Sequence, residues 1–257
     1  MAFLRTTRFV WPLALLLLLS IVGATSAEAS PPRTSRGYDI NYPQCGGAYP
    51  SKPAFGIVGV NKGIVFSANP CLASQISWAG GTHAQLYANT GNPGPALSSH
   101  WPTGQTKPRT CSAATPDTVD CAYDYGWNAA ADSYADTVAA WSGLGLGGTP
   151  ASSAWWLDVE TSNSWRTDTA LNVAALQGEV ASLQSHGVAA LGFYSTAYQW
   201  GQITGSTTVF NGYPSWIAGA SSLKAAQSRC ASASFTGGGR VALAQYPASG
   251  FDADLAC

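Results

Sequence analysis

Two carboxylates stand one residue apart at the end of an apolar run: residues 154 to 161 read AWWLDVET, with Asp158 and Glu160 separated only by Val159. Alternate side chains of an extended strand share a face, so Trp156, Asp158 and Glu160 point one way and Trp155, Leu157 and Val159 the other. The two acids then have Cα atoms about 6.6 Å apart. Carboxyl groups held this close against an apolar wall do not both ionise freely, and the one whose pKa rises becomes the general acid that glycoside cleavage requires. Beyond residue 29 the chain has only one other glutamate, Glu179, which falls on a helical stretch away from its apolar stripe.

Further acids lie near both ends. Asp39 in GYDI closes a strand-like segment, with Asn41 on the same face, and Asp252 and Asp254 in FDADLAC follow the last strand signal. Closing a sheet into a barrel sets its last strand beside its first. Asp39, Asp158, Glu160 and Asp254 would then meet at one mouth as a catalytic group. Each acid also has a structural reading: Asp39 accepting from a nearby backbone N–H, Asp252 capping a turn, Asp158 fixing the loop after it. Sugar rings stack their C–H faces on aromatic groups, and Trp156, Tyr87, Tyr194 and Trp216 all sit in or at the ends of strand signals.

Other chemistries find less support. A histidine-based triad needs a His beside a nucleophile, whereas His83 precedes a strand, His100 lies in a long loop and His186 ends a helix. No EF-hand loop or zinc-type Cys/His spacing is present, and no Gly-rich phosphate loop follows the first strand. No cofactor and no metal are expected.

The elements that must position the acids alternate between strand and helix. Strand signals are RGYDI (36–40), FGIVGV (55–60), AQLYAN (84–89), the opening run, VAALGFYS (188–195), YPSWIAGA (213–220) and VALAQY (241–246). Asn69 and Pro70 are placed as N-cap and first-turn proline of a helix carrying Leu72, Ile76 and Ala79. Tyr123, Trp127, Ala130, Tyr134, Val138 and Trp141 recur at helical spacing over 121–141, leaving Asp124, Asp132 and Asp136 off the stripe. Val173, Leu176, Val180 and Leu183 mark another helix. Strands separated by helices should run parallel, with the stretch around 205–210 leaving room for an eighth. The expected fold is α/β: a single-domain β/α barrel with its site at the C-terminal ends of the strands, preferred over a doubly wound sheet. Residues 90–120 show no periodicity and read as a long functional loop.

The chain has 257 residues, 46% hydrophobic and 10% charged, with a formal net charge of −1. That balance supports a large core and offers nothing to nucleic acid or an anionic membrane. Arg5 and Arg8, an apolar run over 9–22 and the AEA at 27–29 read as a secretory signal peptide over 1–29, an uncleaved anchor being the alternative. A Pro/Ser-rich linker at 30–36 then leads into a domain over 37–257. All six cysteines, Cys45, Cys71, Cys111, Cys121, Cys230 and Cys257, follow the leader, as in a disulfide-bonded exported protein. Six cysteines allow fifteen pairings; nearest neighbours in order give 45–71, 111–121 and 230–257. An exported monomer, with no membrane contact after signal cleavage, is expected.

GYDI, WLDVE, LGFYS, SWIAGA and AQYPASGFDADL, in that order, resemble the markers of glycoside hydrolase family 25 lysozymes over nearly all of 37–257. The resemblance implies a β/α barrel that cleaves the β-1,4 bond between N-acetylmuramic acid and N-acetylglucosamine in peptidoglycan. It matches Glu160 to the proton donor, Asp158 to its partner at the substrate's N-acetyl group, Asp39 to the first-strand acid and Asp254 to the acid near the C-terminus. Tyr87, Asn89, Tyr194, Trp216 and Gln245 fall at substrate-binding positions, and Trp156 shares the acids' face. Two motifs depart from the family: DINYPQC stands for Asp-Val-Ser-His-Trp-Gln, and VGVNKG for Ile-Lys-Ala-Thr-Glu-Gly, so Gly59 and Lys62 replace a lysine and a glutamate. A secreted glycan hydrolase is the leading reading. A non-catalytic wall- or carbohydrate-binding module on the same barrel is the alternative, and a structural domain with satisfied buried acids a third.

Overall fold

A computed structural model describes residues 1–2, 34–51 and 53–257. The signal peptide expected at 1–29 and residues 30–33 of the linker fall outside these residues, apart from Met1 and Ala2. Eight strands close into a barrel in sequential order: β1 (Arg36–Ile40), β2 (Gly56–Gly59), β3 (Gln85–Asn89), β4 (Trp155–Asp158), β5 (Leu191–Ser195), β6 (Ser215–Ile217), β7 (Val241–Ala248) and β8 (Phe251–Ala256). Helices α1 (Leu72–Trp78), α2 (Val119–Gly143), α3 (Thr169–Ser185), α4 (Ala197–Thr204) and α5 (Leu223–Arg229) occupy the connections.

One strand breaks the expected pattern. β1 to β7 are parallel, whereas β8 runs antiparallel to both β7 and β1. Only Ser249 and Gly250 separate β7 from β8, at φ 54° and 80°. Two residues with positive φ form a hairpin turn and cannot carry a parallel crossover. The eighth strand is therefore FDADLA, and residues 205–210 are turn. Asp252 and Asp254 lie within this strand, paired opposite Asp39 and Gly37.

β4 is buried on both faces because the barrel separates two apolar layers. Outside, Trp155, Leu157 and Val159 pack with Tyr134 and Trp141 of α2 and Leu176, Val180 and Leu183 of α3. Inside, Trp156 packs with Ile57, Trp216 and Leu243. Two helical details differ from the pattern read off the sequence. Ala130, Tyr134 and Trp141 of the expected stripe of α2 are buried, but so are Ala122, Tyr125, Ala129, Ser133 and Thr137, whereas Tyr123 and Trp127 are half-buried, Val138 is at the surface and Asp124 is fully buried. The buried face is broader than the large-residue stripe because small residues such as Gly126 also face α3. α1 is capped at Cys71, two residues after Asn69, whose side-chain oxygen accepts from the Cys71 N–H at 3.0 Å.

The disulfides pair Cys45 with Cys71, Cys111 with Cys121 and Cys230 with Cys257. The second ties residues 90–118, which contain no helix or strand, to the first turn of α2. That segment packs sideways on the helices: Trp101 stacks on Tyr125 at 5.0 Å, and Asp117 takes both guanidinium nitrogens of Arg166.

The α2–α3 pair sets where the end of β4 sits, and its close approach depends on glycine. A Cβ built on Gly178 would lie 1.9 Å from the Tyr123 carbonyl oxygen. Backbone cannot move aside as a side chain can, so Gly178→Val should cost about 3 kcal/mol or prevent folding. Equilibrium urea unfolding measures this; a midpoint equal to that of the unsubstituted protein would show that the helices can separate freely.

Candidate active site

The register of the parallel strands lines up the polar row. Asn89 pairs with Asp158, Asp158 with Tyr194, and Tyr194 with Trp216 across β3, β4, β5 and β6. These side chains, with Asp39, Asn41, Tyr42, Gln44, Tyr87, Glu160, Gln245 and Asp252, line a cleft of about 250 Å³ at the C-terminal ends of the strands. Asp39, Asp158, Glu160, Tyr87, Asn89, Tyr194, Trp216 and Gln245 all reach it. Asp254 lies beneath the floor, fully buried, and does not line it. Trp156 does not line it either. It lies one row down, paired with Tyr87 and Gly192, and its indole N–H donates to Gln85 Oε1 at 2.9 Å. Parity gave Trp156 its face, but height along the strand placed it in the barrel's plug.

Two networks hold the acids. On one side Trp216 Nε1 donates to Asp254 Oδ1 at 2.7 Å, Gln245 Nε2 to Asp39 Oδ2 at 3.0 Å, and Tyr194 Oη to Gln245 Oε1 at 2.8 Å. Asp254 also hydrogen bonds Asp39, an interaction that favours the proton on Asp254 and the charge on Asp39. Burial still pushes Asp39 up to about 7, Asp252 adding to it against the hydrogen bonds from Gln245 and Asp254. On the other side Asn89 Nδ2 donates to Asp158 Oδ2, while Thr90 N and Oγ1 donate to the Asp158 carbonyl at 3.1 and 2.5 Å. Asp158 Oδ1 is buried without a hydrogen-bond partner among the described residues. Burial holds Asp158 well above the ordinary carboxylate range, with Glu160 and Asp39 raising it further.

Glu160 is half-buried at the open side of the row. Burial raises its pKa, a hydrogen bond from Gln199 at the start of α4 lowers it, and Asp252 raises it again. Its backbone carbonyl accepts from Trp165 Nε1 at 2.8 Å and from Asn163 N at 3.1 Å. The Gln199 side-chain oxygen also accepts from Thr161 N at 2.6 Å, so α4 fixes the turn that carries Glu160.

Gln199, Tyr42 and Gln44 carried no signal as site residues, while Asn41 and Asp252 stood out beside Asp39 and Asp254 without a role in the site. The first is 39 residues from Glu160 on a helix, where no strand parity applies. Asn41 caps the 3-10 turn Tyr42–Gln44, its Oδ1 accepting from the Tyr42 N–H at 2.7 Å, and Gln44 Oε1 accepts in return from the Asn41 N–H at 2.9 Å. That capping box follows directly from the N-Y-P-Q spacing. Asn41 also explains Gly59: a Cβ there would meet the Asn41 side chain at 2.3 Å. Lys62 lies over the Tyr42 ring, 6.0 Å from its centroid, and no residue from 90 to 118 lines the cleft. His100 stacks on Phe66 and His186 on Tyr134, both away from the cleft. Among the described residues no cluster of three His, Cys, Asp or Glu is placed to hold a metal ion.

The chain matches, over residues 133–236, a family model described as "Lysozyme-like protein 1". A curated relative, "Probable GH family 25 lysozyme 4" of Dictyostelium discoideum, is 43% identical over 63 residues, which is 24% of this chain and 29% of the relative. The matched stretch thus spans under a third of that protein. Among solved structures, a muramidase from Trichobolus zukalii aligns over 87% of this chain and 93% of its own at 19% identity and TM-score 0.52. A bacterial lysozyme from Streptomyces coelicolor aligns over 86% and 91% at 16% identity and TM-score 0.53. Sequence and fold both resemble family 25 lysozymes.

The buried acids make stability fall with rising pH. Asp39 keeps its proton up to about 7 when folded, against 3.8 for an ordinary aspartate. The folded protein therefore binds protons that the unfolded chain has released, and stability present below about pH 4 is lost as pH rises towards 7. The loss is on the order of a few kcal/mol. Asp254→Asn should flatten this slope. Urea unfolding at pH 4.5, 6 and 8 tests it, and a stability maximum at pH 8 would contradict it.

Proposed function

We propose that this chain, which shares its barrel with solved muramidases and resembles family 25 lysozymes in sequence, is an exported glycan hydrolase. Its substrate is the β-1,4-linked N-acetylated glycan of peptidoglycan or a related polymer. The observation that carries the reading is the placement of Glu160, half-buried and raised in pKa, beside Asp158 at the open end of one polar row. The leader-like residues 1–29 and three disulfides support export. No helix among the described residues is long and apolar enough to cross a membrane.

The chemistry follows from which oxygens are free. Asp158 Oδ2 is taken by Asn89, and Oδ1, unpartnered but buried, accepts the N–H of a 2-acetamido group once the side chain turns to the cleft, directing the acetamido carbonyl oxygen towards the anomeric carbon. Protonated Glu160 gives its proton to the glycosidic oxygen as the C1–O bond breaks and the acetamido oxygen bonds to C1. The resulting Glu160 carboxylate then takes a proton from the water that opens this ring. Asp39, held by Gln245 and Asp254, faces the developing positive charge. Tyr194 and Tyr87 offer aromatic surface at the cleft wall, edge-on to Trp216 at 4.5 and 5.9 Å.

The substituted motifs favour a second reading, a glycan-binding barrel without turnover. Asn41 fills the space in which the family's lysine would stand, and Lys62 replaces its glutamate. Release of reducing ends from cell walls separates the two. The unsubstituted protein should solubilise walls, and Glu160→Gln should lower the rate at least 10³-fold with its unfolding midpoint unchanged, the size expected when a general acid is lost. Saturable binding to walls with no reducing ends released by the unsubstituted protein would establish the binding module instead.

A further inference from the structure

Glu160 stands beyond the end of β4, so the strand register that fixes Asp158 opposite Tyr194 does not reach it. Side chains hold the peptide units around it instead. Before it, the Val159 carbonyl accepts from Ser195 Oγ at 2.7 Å, a hydroxyl fully buried at the end of β5. Its own carbonyl accepts from Trp165 Nε1 and Asn163 N. After it, Thr161 N and Thr161 Oγ1 both donate to Gln199 Oε1, at 2.6 and 3.0 Å. The junction of β5 and α4 thus grips the chain on both sides of the proton donor.

Gln199 is itself fixed. Thr196 caps α4, its Oγ1 accepting from Gln199 N at 3.1 Å. The next residue, Trp200, is buried against Phe193 of β5 and Phe210, with ring centroids 5.1 and 5.8 Å away. The Gln199 side chain therefore extends from a base seated in the outer core. Thr161 is exposed, and water would satisfy its N–H and hydroxyl as well as an amide oxygen does. What water cannot supply is a fixed direction for the turn, and misplacing a reacting group by about 1 Å costs about 10²-fold in rate.

We propose that Gln199 is a positioning residue for the proton donor: by holding Thr161 from α4 it fixes the turn from Val159 to Thr161 and so aims the Glu160 carboxyl into the cleft. The effect on rate rests on the hydrolase reading, but the grip on Thr161 does not. Replacement by glutamate keeps an oxygen for the two Thr161 donors, whereas replacement by methionine keeps only the volume.

Gln199→Met should lower kcat at least tenfold with KM changed less than threefold, because Glu160 is misaligned while the cleft persists. Gln199→Glu should keep kcat within threefold, each protein being compared at its own pH optimum because an added carboxylate beside Glu160 moves the profile. Equal kcat of the Met variant and the unsubstituted protein would overturn the role, as would a Glu variant as impaired as the Met variant. Amide hydrogen exchange reads the grip without turnover. The Thr161 N–H should exchange at least tenfold more slowly than an unstructured threonine amide, keep that protection in Gln199→Glu and lose it in Gln199→Met. An unprotected Thr161 in the unsubstituted protein would overturn the grip, as would protection that survives in Gln199→Met. If the unsubstituted protein releases no reducing ends while Thr161 loses its protection only in Gln199→Met, the hydrolase reading fails and the grip stands.

Discussion

The structure turns on carboxyl groups that are buried with no cation, among the described residues, stabilising their charge. Asp39, Asp158, Asp254 and Glu179 all have pKa values raised first by burial and further by the charge of a neighbouring carboxylate. A barrel mouth built this way must keep several protons at neutral pH or meet strong repulsion. The hydrogen bonds of the site make sense as the means of distributing those protons. Asp39 favours the proton on Asp254 while Trp216, donating to the same carboxyl, opposes it; Gln245 favours charge on Asp39, and Gln199 restrains the rise of Glu160.

Proton distribution requires fixed geometry, and the barrel supplies it through register. Because neighbouring strands pair Asn89, Asp158, Tyr194 and Trp216 in one row, each polar group's position is set by backbone bonds rather than by its own rotamer alone. The Trp156 and Ile57 layer below excludes water from the floor. Above it, the capped turn at Asn41 and the turn held by Gln199 form opposite sides of the opening. The two carboxylates closest to solvent are then Glu160 and Asp252, one on each side of the row.

Much of this was legible in the chain. Strand parity put Asp158 and Glu160 on one face, alternating elements indicated the β/α barrel, and neighbouring cysteines paired as they stand in sequence. What parity cannot supply is height along a strand, and so Trp156 looked like a cleft residue while filling the row beneath. The antiparallel β8 was hidden because Pro247 reads as a strand stop although it lies inside β7. Glu179 and Asp124 seemed surface acids because an apolar stripe was sought among large residues, whereas α2 and α3 meet along Gly126 and Gly178. Gln199 carried no local signal, since its role exists only once α4 packs over the β4 turn.

The central claim is that Glu160 and Asp158 face the same sugar from the same row. A crystal structure of the Glu160→Gln protein with an N-acetylated oligosaccharide bound tests it most directly. The account predicts the side chain of residue 160 within hydrogen-bond distance of a glycosidic oxygen and Asp158 Oδ1 accepting the N–H of the adjoining acetamido group. A sugar seated in the cleft with its glycosidic oxygen out of reach of residue 160, or with its acetamido group turned from Asp158, would contradict it.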